Sequence, residues 1–303
     1  MKVNLHTHTT YCDGNNSPEE MVLDAISAGF DVLGFSGHSY TSFDQSYCMS
    51  REQTAAYIAE VRSLAEKYKN QIKVFCGIEK DFFADDSAEC YDYAIGSVHA
   101  IYKSCDAAEL ANLRLHAPKG IHITDNGCYI YIDWKRETLE WAAANIYKGD
   151  SLALAEAYYD HVARIADMTD VQIVGHFDLL TKFEEQRMAD GLPPLFDTAH
   201  LRYLEAASRA ADTLSKTGKI FEINTGAMSK GYRTSPYPSL PLLQMIQQAD
   251  GRITINSDCH AAGKLDCGYQ QALQLAEEAG FSSITILAPD GQWKEISLTE
   301  VLL

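Results

Sequence analysis

Residues 3–14 read VNLHTHTTYCDG. A short apolar run, Val3–Leu5, leads into His6-Thr7-His8, and an Asp13-Gly14 turn follows. Side chains alternate between the two faces of a strand, so histidines two apart point the same way. The spacing therefore presents two imidazoles side by side at a strand end, with the Asp13 carboxylate able to turn back onto the same face. A closing counterpart lies at Asn256-Ser-Asp258-Cys-His260, after the run Ile253–Ile255. There a carboxylate and an imidazole repeat the spacing of two, and alternation points Cys259 away from both.

Between these ends, further short runs occur at Val32–Phe35, Ile72–Ile78, Tyr93–Val98, Val171–Val174 and Ile220–Ile223. Segments of helical period separate them. Ser17-Pro-Glu-Glu and Ser50-Arg-Glu-Gln have the form of a capping box at a helix start. Asp197 is the predicted cap of a third helix running to about Lys216, before Gly218. Such alternation predicts an α/β fold, a parallel sheet with helices outside it. Seven strands can be counted, followed by a terminal hairpin of Ile284–Leu287 and Trp293–Ile296 around Pro289-Asp-Gly. The rhythm breaks at about 103–150. That stretch reads as an insertion covering the active face of a single domain, 1–303. Tyr129, Tyr131, Trp134 and Trp141 read as the insertion's own core. His116 and His122 read as solvated or packed, and His161 and His200 as surface or packing residues in helical patterns.

Of the 303 residues, 46% are hydrophobic, enough for a large core, and the formal net charge of −17 disfavours a general electrostatic grip on nucleic acid or anionic lipid. The eight cysteines, Cys12, Cys48, Cys76, Cys90, Cys105, Cys128, Cys259 and Cys267, form no CxxC pair. A reduced compartment is expected rather than a disulfide framework. No apolar run approaches the length of a membrane span, and the N-terminus lacks the apolar stretch of a secretion signal. The expectation is a cytoplasmic protein without a membrane partner. Oligomeric state is not legible.

Polar residues recur at the ends of these strands. His6 and His8 close the first, His38 the second, Glu79 the third, His99 the fourth and His176 the fifth. Asn224 ends the sixth, and Asp258 and His260 follow the seventh. In parallel α/β barrels such ends converge on one face, where active sites are built. Imidazole with carboxylate suits Zn²⁺, Mn²⁺ or Fe²⁺, and the lack of clustered thiols points to an open catalytic site. Lys230 and Arg233 follow the sixth strand in a loop punctuated by Gly and Pro. Both are candidates for binding phosphate, beside a plain reading as solvated charges. Asn224 either meets substrate or holds the loop.

HTHTTYCDG (6–14), GFSGH (34–38), GIE (77–79), IGSVH (95–99), GH (175–176) and NSDCH (256–260) together resemble the successive motifs of the PHP (polymerase and histidinol phosphatase) superfamily. Tyr91–His99, Phe221-Glu-Ile-Asn-Thr and the Ile132-Asp-Trp … Gly149-Asp … Tyr158-Tyr159 stretch resemble its histidinol-phosphatase branch. Residues 103–128 and 226–233 depart from that branch. The resemblance implies a distorted seven-stranded (β/α)7 TIM-like barrel holding three divalent ions at the C-terminal ends of its strands. It implies a first ion on His6, His8, Glu79 and Asp258, and a second on Glu79, His99 and His176. Asp13, His38 and His260 would hold the third. Three divalent ions against Asp13, Glu79 and Asp258 leave a local excess of about +3, which attracts a phosphate dianion inside an acidic protein.

The expected activity is hydrolysis of a small phosphate ester by a metal-bridging hydroxide, with L-histidinol phosphate, and so histidine biosynthesis, as the leading substrate. Glu79 is the bridging carboxylate, and Asp258 and His260 are the candidates for moving the proton. A nucleotide or oligonucleotide phosphoesterase is the alternative within the superfamily, against which the acidic charge and the lack of a basic aromatic groove weigh. A non-catalytic metal-binding module would have been free to lose ligands. An amidohydrolase also opens with His-x-His, but this chain has no obvious bridging lysine and closes with Asp258-x-His260.

Overall fold

The computed structural model describes residues 1–301. In chain order the strands are β1 (Val3–Asn4), β2 (Val32–Phe35), β3 (Lys73–Cys76), β4 (Ile78–Asp81), β5 (Ala94–Ser97), β6 (Ala100–Ser104), β7 (Ile121–Ile123), β8 (Gly127–Tyr131), β9 (Ile173–Val174), β10 (Ile220–Asn224), β11 (Arg252–Asn256), β12 (Ser283–Leu287) and β13 (Trp293–Ser297). β1, β2 and β3 pair in parallel as one sheet, and β11, β10, β9, β5 and β4 pair in parallel as a second. The expected run Ile72–Ile78 is divided at Gly77 between the two sheets.

The sheet ladders are therefore not one continuous seven-stranded ring. Isolated bridges join the sheets at two seams, Thr7 with Cys259 and His38 with Glu79. Side chains complete the first seam. The buried amide of Asn256 accepts from Leu5 N at 2.8 Å, and that of Asn4 accepts from Ser257 N at 3.0 Å. At the second seam the Tyr93 hydroxyl lies between the carbonyls of Leu5 and Phe35, 3.0 Å from the latter. Both seams fall where the candidate ligands stand, so backbone there is shaped by the site as well as by strand pairing.

The helices form for the reasons their sequences suggest. Ser17 and Ser50 each complete a capping box, opening Pro18–Ser27 and Arg51–Lys67. The third cap is a correction. The helix Leu201–Lys216 is capped by His200, whose Nδ1 accepts from Arg202 N, while Asp197 serves the amide of Ala199 one turn earlier. Its buried residues, Tyr203, Ala206, Ala207, Ala210, Ala211 and Leu214, keep helical spacing and face Ser151–Ala163, with Tyr159 and Tyr203 hydroxyls 2.8 Å apart. The terminal hairpin forms as β12 against β13. Within residues 100–131, β6, β8 and β7 form a separate antiparallel sheet in that order, with the helix Ala107–His116 between β6 and β7. Among the described residues no helix is long and apolar enough to cross a membrane.

Candidate metal centre

Glu79, on β4 and 1% exposed, stands at the middle of the site. Its Oε2 faces His38 Nδ1 at 2.8 Å, His6 Nε2 at 3.3 Å and His8 Nε2 at 3.5 Å. Its Oε1 faces His176 Nε2 at 3.0 Å and His99 Nε2 at 3.3 Å, and accepts from Ser97 Oγ at 2.6 Å. Asp258 Oδ1 lies 3.2 Å from His8 Nε2, 3.5 Å from His260 Nδ1 and 3.7 Å from His6 Nε2. Asp13 closes the outer end, 3.2 Å from His260 Nε2 and 3.6 Å from both His8 Nδ1 and His38 Nε2. The turn that aims it needs Gly14, where a Cβ would sit 2.5 Å from the backbone nitrogen of Thr9.

All nine residues expected as ligands are thus brought together. Donor atoms of seven of them form three compact groups: His8, Asp13, His38 and His260; His6, His8 and Glu79; and His38, Glu79 and His99, with His176 beside Glu79 Oε1 and Asp258 beside His8 Nε2. The grouping is consistent with a trinuclear centre. It differs in detail from the expected partition, since His8 also borders the outer group and His38 stands beside Glu79.

A ring of residues behind the candidate ligands was not anticipated. Glu222, fully buried on β10, accepts from His6 Nδ1 at 2.7 Å and Asn256 Nδ2 at 3.0 Å on Oε1. Its Oε2 accepts from Asn224 Nδ2 at 2.8 Å and His176 N at 3.0 Å. Asp81 stands 3.2 Å from His99 Nδ1. Each partner fixes which ring nitrogen is left with a lone pair for a cation. His176 and Asp258 both have left-handed backbone, φ 24° and 47°, a cost of about 1–3 kcal/mol each that surrounding contacts must offset.

The donor set fits divalent cations. Buried His6 Nε2, His8 Nε2 and Glu79 Oε2 have no aligned hydrogen-bond partner, yet they converge on one point. Each such orphan costs about 1–3 kcal/mol, which a shared cation would remove. Without a cation the charges pull against one another. At His6, burial disfavours the charged ring, but Glu222, Glu79 and Asp258 outweigh it and raise its pKa well above the usual value. Burial is likewise outweighed at His38 by Glu79 and Asp13, and at His99 by Glu79 and Asp81, so both are raised. His8 goes the other way, to about 3, through burial and the neighbouring His260 and His38. Burial opposes ionisation of Glu79 and Asp258, but the surrounding imidazoles hold both well below the ordinary carboxylate range.

The profile of the PHP domain family matches residues 4–226, most of the chain and all but two of these nine residues. The chain belongs to the PHP domain family. Within that family it resembles the histidinol-phosphatase branch. It is 23% identical to the "Probable histidinol-phosphatase" of Schizosaccharomyces pombe, over 96% of this chain and 92% of the relative. It is also 23% identical to the histidinol-phosphatase of Bacillus subtilis, over 89% of this chain and 97% of the relative. A solved structure of histidinol phosphate phosphatase from Lactococcus lactis, complexed with zinc, L-histidinol and phosphate, aligns over 97% of this chain and 98% of that one, with TM-score 0.64 and 17% identity. At that identity the likeness concerns the fold.

In this PHP chain a cavity of about 190 Å³ opens over the metal centre. Tyr47, Tyr131, Trp134 and Tyr237 wall it, and Lys182 and Lys230 bring positive charge to it. Lys230 Nζ lies 3.2 Å from His260 Nε2. Lys182 Nζ lies 3.1 Å from both the carboxylate and the carbonyl of Asp133. Burial disfavours the Asp133 charge, yet Lys182 and His99 hold its pKa down at about 2.

Arg233, Tyr131 and Trp134 stand elsewhere than the sequence suggested, and Asn224 takes one of its two expected places. Arg233 faces a neighbouring cavity instead. Its guanidinium donates to Thr181 and Ser235 and packs over the Tyr237 ring. Asn224 is buried with its amide committed to Glu222, Gly226 N and Asp258, so it holds the loop and the carboxylates and does not line the cavity. Tyr131 and Trp134, expected within the insertion's core, line the metal pocket, Trp134 being 46% exposed. Of the other two aromatics, Tyr129 stacks on Phe43 at 4.1 Å and Trp141 packs against the core. Lys182 follows the 3-10 turn Leu179–Thr181 with no motif around it, whereas Asp133 and Glu222 fell inside stretches resembling the branch.

Proposed function

We propose that this chain is a metal-dependent phosphomonoesterase acting on a small phosphate ester, with L-histidinol phosphate as its substrate. The observation that carries the reading is the convergence of imidazole and carboxylate around Glu79 beneath a small cavity bearing two lysines. Zinc, manganese or iron fits the donor set. We assign His6, His8, Glu79 and Asp258 to one ion, Glu79, His99 and His176 to a second, and Asp13, His38 and His260 to a third. The ions would supply Lewis-acid polarisation of the phosphoryl oxygens and an acidified water.

The chain's own residues do the rest. Lys182 and Lys230 neutralise phosphoryl oxygens projecting away from the ions. Asp258 takes the proton of the attacking water, and its Oδ2 is steadied by Asn224 Nδ2 at 3.3 Å. That proton passes on to the departing alkoxide, which leaves as the alcohol on the side of His260 and Lys230. Tyr131 and Trp134 flank the leaving alcohol and shield it from water. The two parallel sheets are read as one distorted seven-stranded barrel within a single domain, with residues 103–150 as an insertion covering its active face. Eight unpaired cysteines accord with a cytoplasmic setting.

The cavity's size favours a compact monoester over an oligonucleotide. The relative from Lactococcus lactis, with L-histidinol and phosphate bound, supports the choice of substrate. Phosphate release from metal-loaded protein should be measured across histidinol phosphate, nucleoside monophosphates and a phosphodiester. Histidinol phosphate should give the highest kcat/KM. Preference for the diester or for nucleotides would overturn the assignment.

A further inference from the structure

Three imidazoles of the centre have an oxygen behind one ring nitrogen: Glu222 behind His6, Asp81 behind His99, and the carbonyl of Asp258 at 2.9 Å from His260 Nδ1. His8 has a sulfur in that place. Its ring is completely buried, and its Nε2 lies 3.2 Å from Asp258 Oδ1 and 3.5 Å from Glu79 Oε2 without an aligned hydrogen bond. The opposite nitrogen, Nδ1, faces Cys12 Sγ at 3.5 Å and Asp13 Oδ1 at 3.6 Å. An oxygen at 3.6 Å is too far to accept a hydrogen bond. Sulfur is larger and accepts at this separation, though weakly.

Local structure aims the sulfur. The amide of Cys12 donates to the carbonyl of Thr9 at 3.0 Å, and the thiol donates to the same carbonyl at 3.5 Å. This turn directs the S–H at Thr9 and leaves the sulfur lone pairs facing His8. Cys12 belongs to none of the compact donor groups among the described residues, so its sulfur stands behind the ring and not among the candidate ligands. The rings of His260 and His38, centred 4.1 and 4.4 Å from that of His8, hold its plane. With the plane held, the place of the ring proton decides whether Nε2 can meet a cation.

We propose that Cys12 is the positioning residue for His8: its sulfur accepts the Nδ1 proton and keeps the Nε2 lone pair turned toward Glu79 and Asp258. This role rests on the metal-centre reading above. Without the sulfur the proton moves to Nε2 and donates to Asp258 Oδ1, a bond that an incoming ion must undo. The fold loses little, because one hydrogen bond replaces another, while ion binding loses more.

The test follows zinc-loaded protein with isotope-labelled histidine by NMR, and zinc affinity by competition with a chelating dye. In the parent, His8 Nδ1 should carry a proton that exchanges slowly with water. Cys12→Ser sets a shorter-reaching oxygen beyond hydrogen-bond distance, and Cys12→Ala removes the acceptor outright. Either variant should speed that exchange and weaken zinc affinity about tenfold. A sulfur that merely fills space would lower the melting temperature of ion-free Cys12→Ala and leave the His8 signal and zinc affinity unchanged. That pattern, or a His8 Nδ1 without its proton in the zinc-loaded parent, would overturn the role of Cys12 alone. A parent that binds no zinc would overturn the metal centre and this role with it.

Discussion

Replacing Glu222 by Gln changes one atom type at a fully buried position that stands behind the candidate ligands and is not one of them. The carboxylate accepts from two donors on each oxygen: His6 Nδ1 and Asn256 Nδ2 on one, His176 N and Asn224 Nδ2 on the other. Glutamine must turn an NH₂ toward one pair. The asparagines cannot flip to accept it, because Asn256 Oδ1 holds Leu5 N and Asn224 Oδ1 holds Gly226 N, each at 2.8 Å. The His176 amide cannot invert either. The remaining escape is for His6 to become the acceptor at Nδ1, which moves its proton to Nε2 and removes the lone pair a cation needs. Losing one or two hydrogen bonds to a charged acceptor costs roughly 2–5 kcal/mol. For a chain of this size that lowers the melting temperature by roughly 5–10 °C. Loss of the tautomer lock should weaken divalent-ion affinity about 10- to 100-fold. Thermal melts of the ion-free protein and competition titrations against a chelating dye read the two effects separately. A melting temperature and ion affinity equal to the parent's would refute the argument that Glu222 organises the site.

Elemental analysis of the metal-replete protein should give about three ions per chain. Glu79→Gln, which strikes both inner groups, should retain fewer and lose turnover; a turnover rate above that of His38→Ala would contradict the bridging role. Lys182→Ala should lower kcat/KM about 10- to 100-fold with ion content intact, while Arg233→Ala should stay close to the parent. The reverse order would return Arg233 to the phosphate. Burial opposes charge on His6, His38 and His99, but the carboxylates around them raise all three, so in the ion-free chain they hold protons near neutral pH. Ion binding must displace those protons, so affinity should rise with pH until the rings titrate, and titration calorimetry in buffers of different ionisation enthalpy should record proton release near pH 7. Identical heats across buffers would count against this.

The candidate ligands were legible because their signal is local. His6-x-His8 and Asp258-x-His260 rely on strand alternation, and the others stand at the ends of recognisable apolar runs. The helix caps at Ser17 and Ser50 were legible for the same reason, since a capping box lies within four residues. Arg233 shows where locality fails. It follows the sixth strand in the expected loop, yet the turn through Gly231 and the hydrogen bonds to Thr181 carry its guanidinium to the other side of Tyr237. Lys182 reaches the metal pocket from a segment whose sequence gives no sign of it.

The chain's own residue pattern determines the α/β alternation, the convergence of nine imidazole and carboxylate groups, and membership of the PHP family. Tertiary structure alone decides which atoms face one another: that His38 stands beside Glu79, that Glu222 locks His6, and that Lys182 rather than Arg233 enters the cavity. The physical reason is range. Strand alternation and capping act over a few residues and leave a periodic trace in sequence. Hydrogen bonds such as His6 to Glu222, 216 residues apart, depend on how strands are laid side by side, which no local pattern encodes.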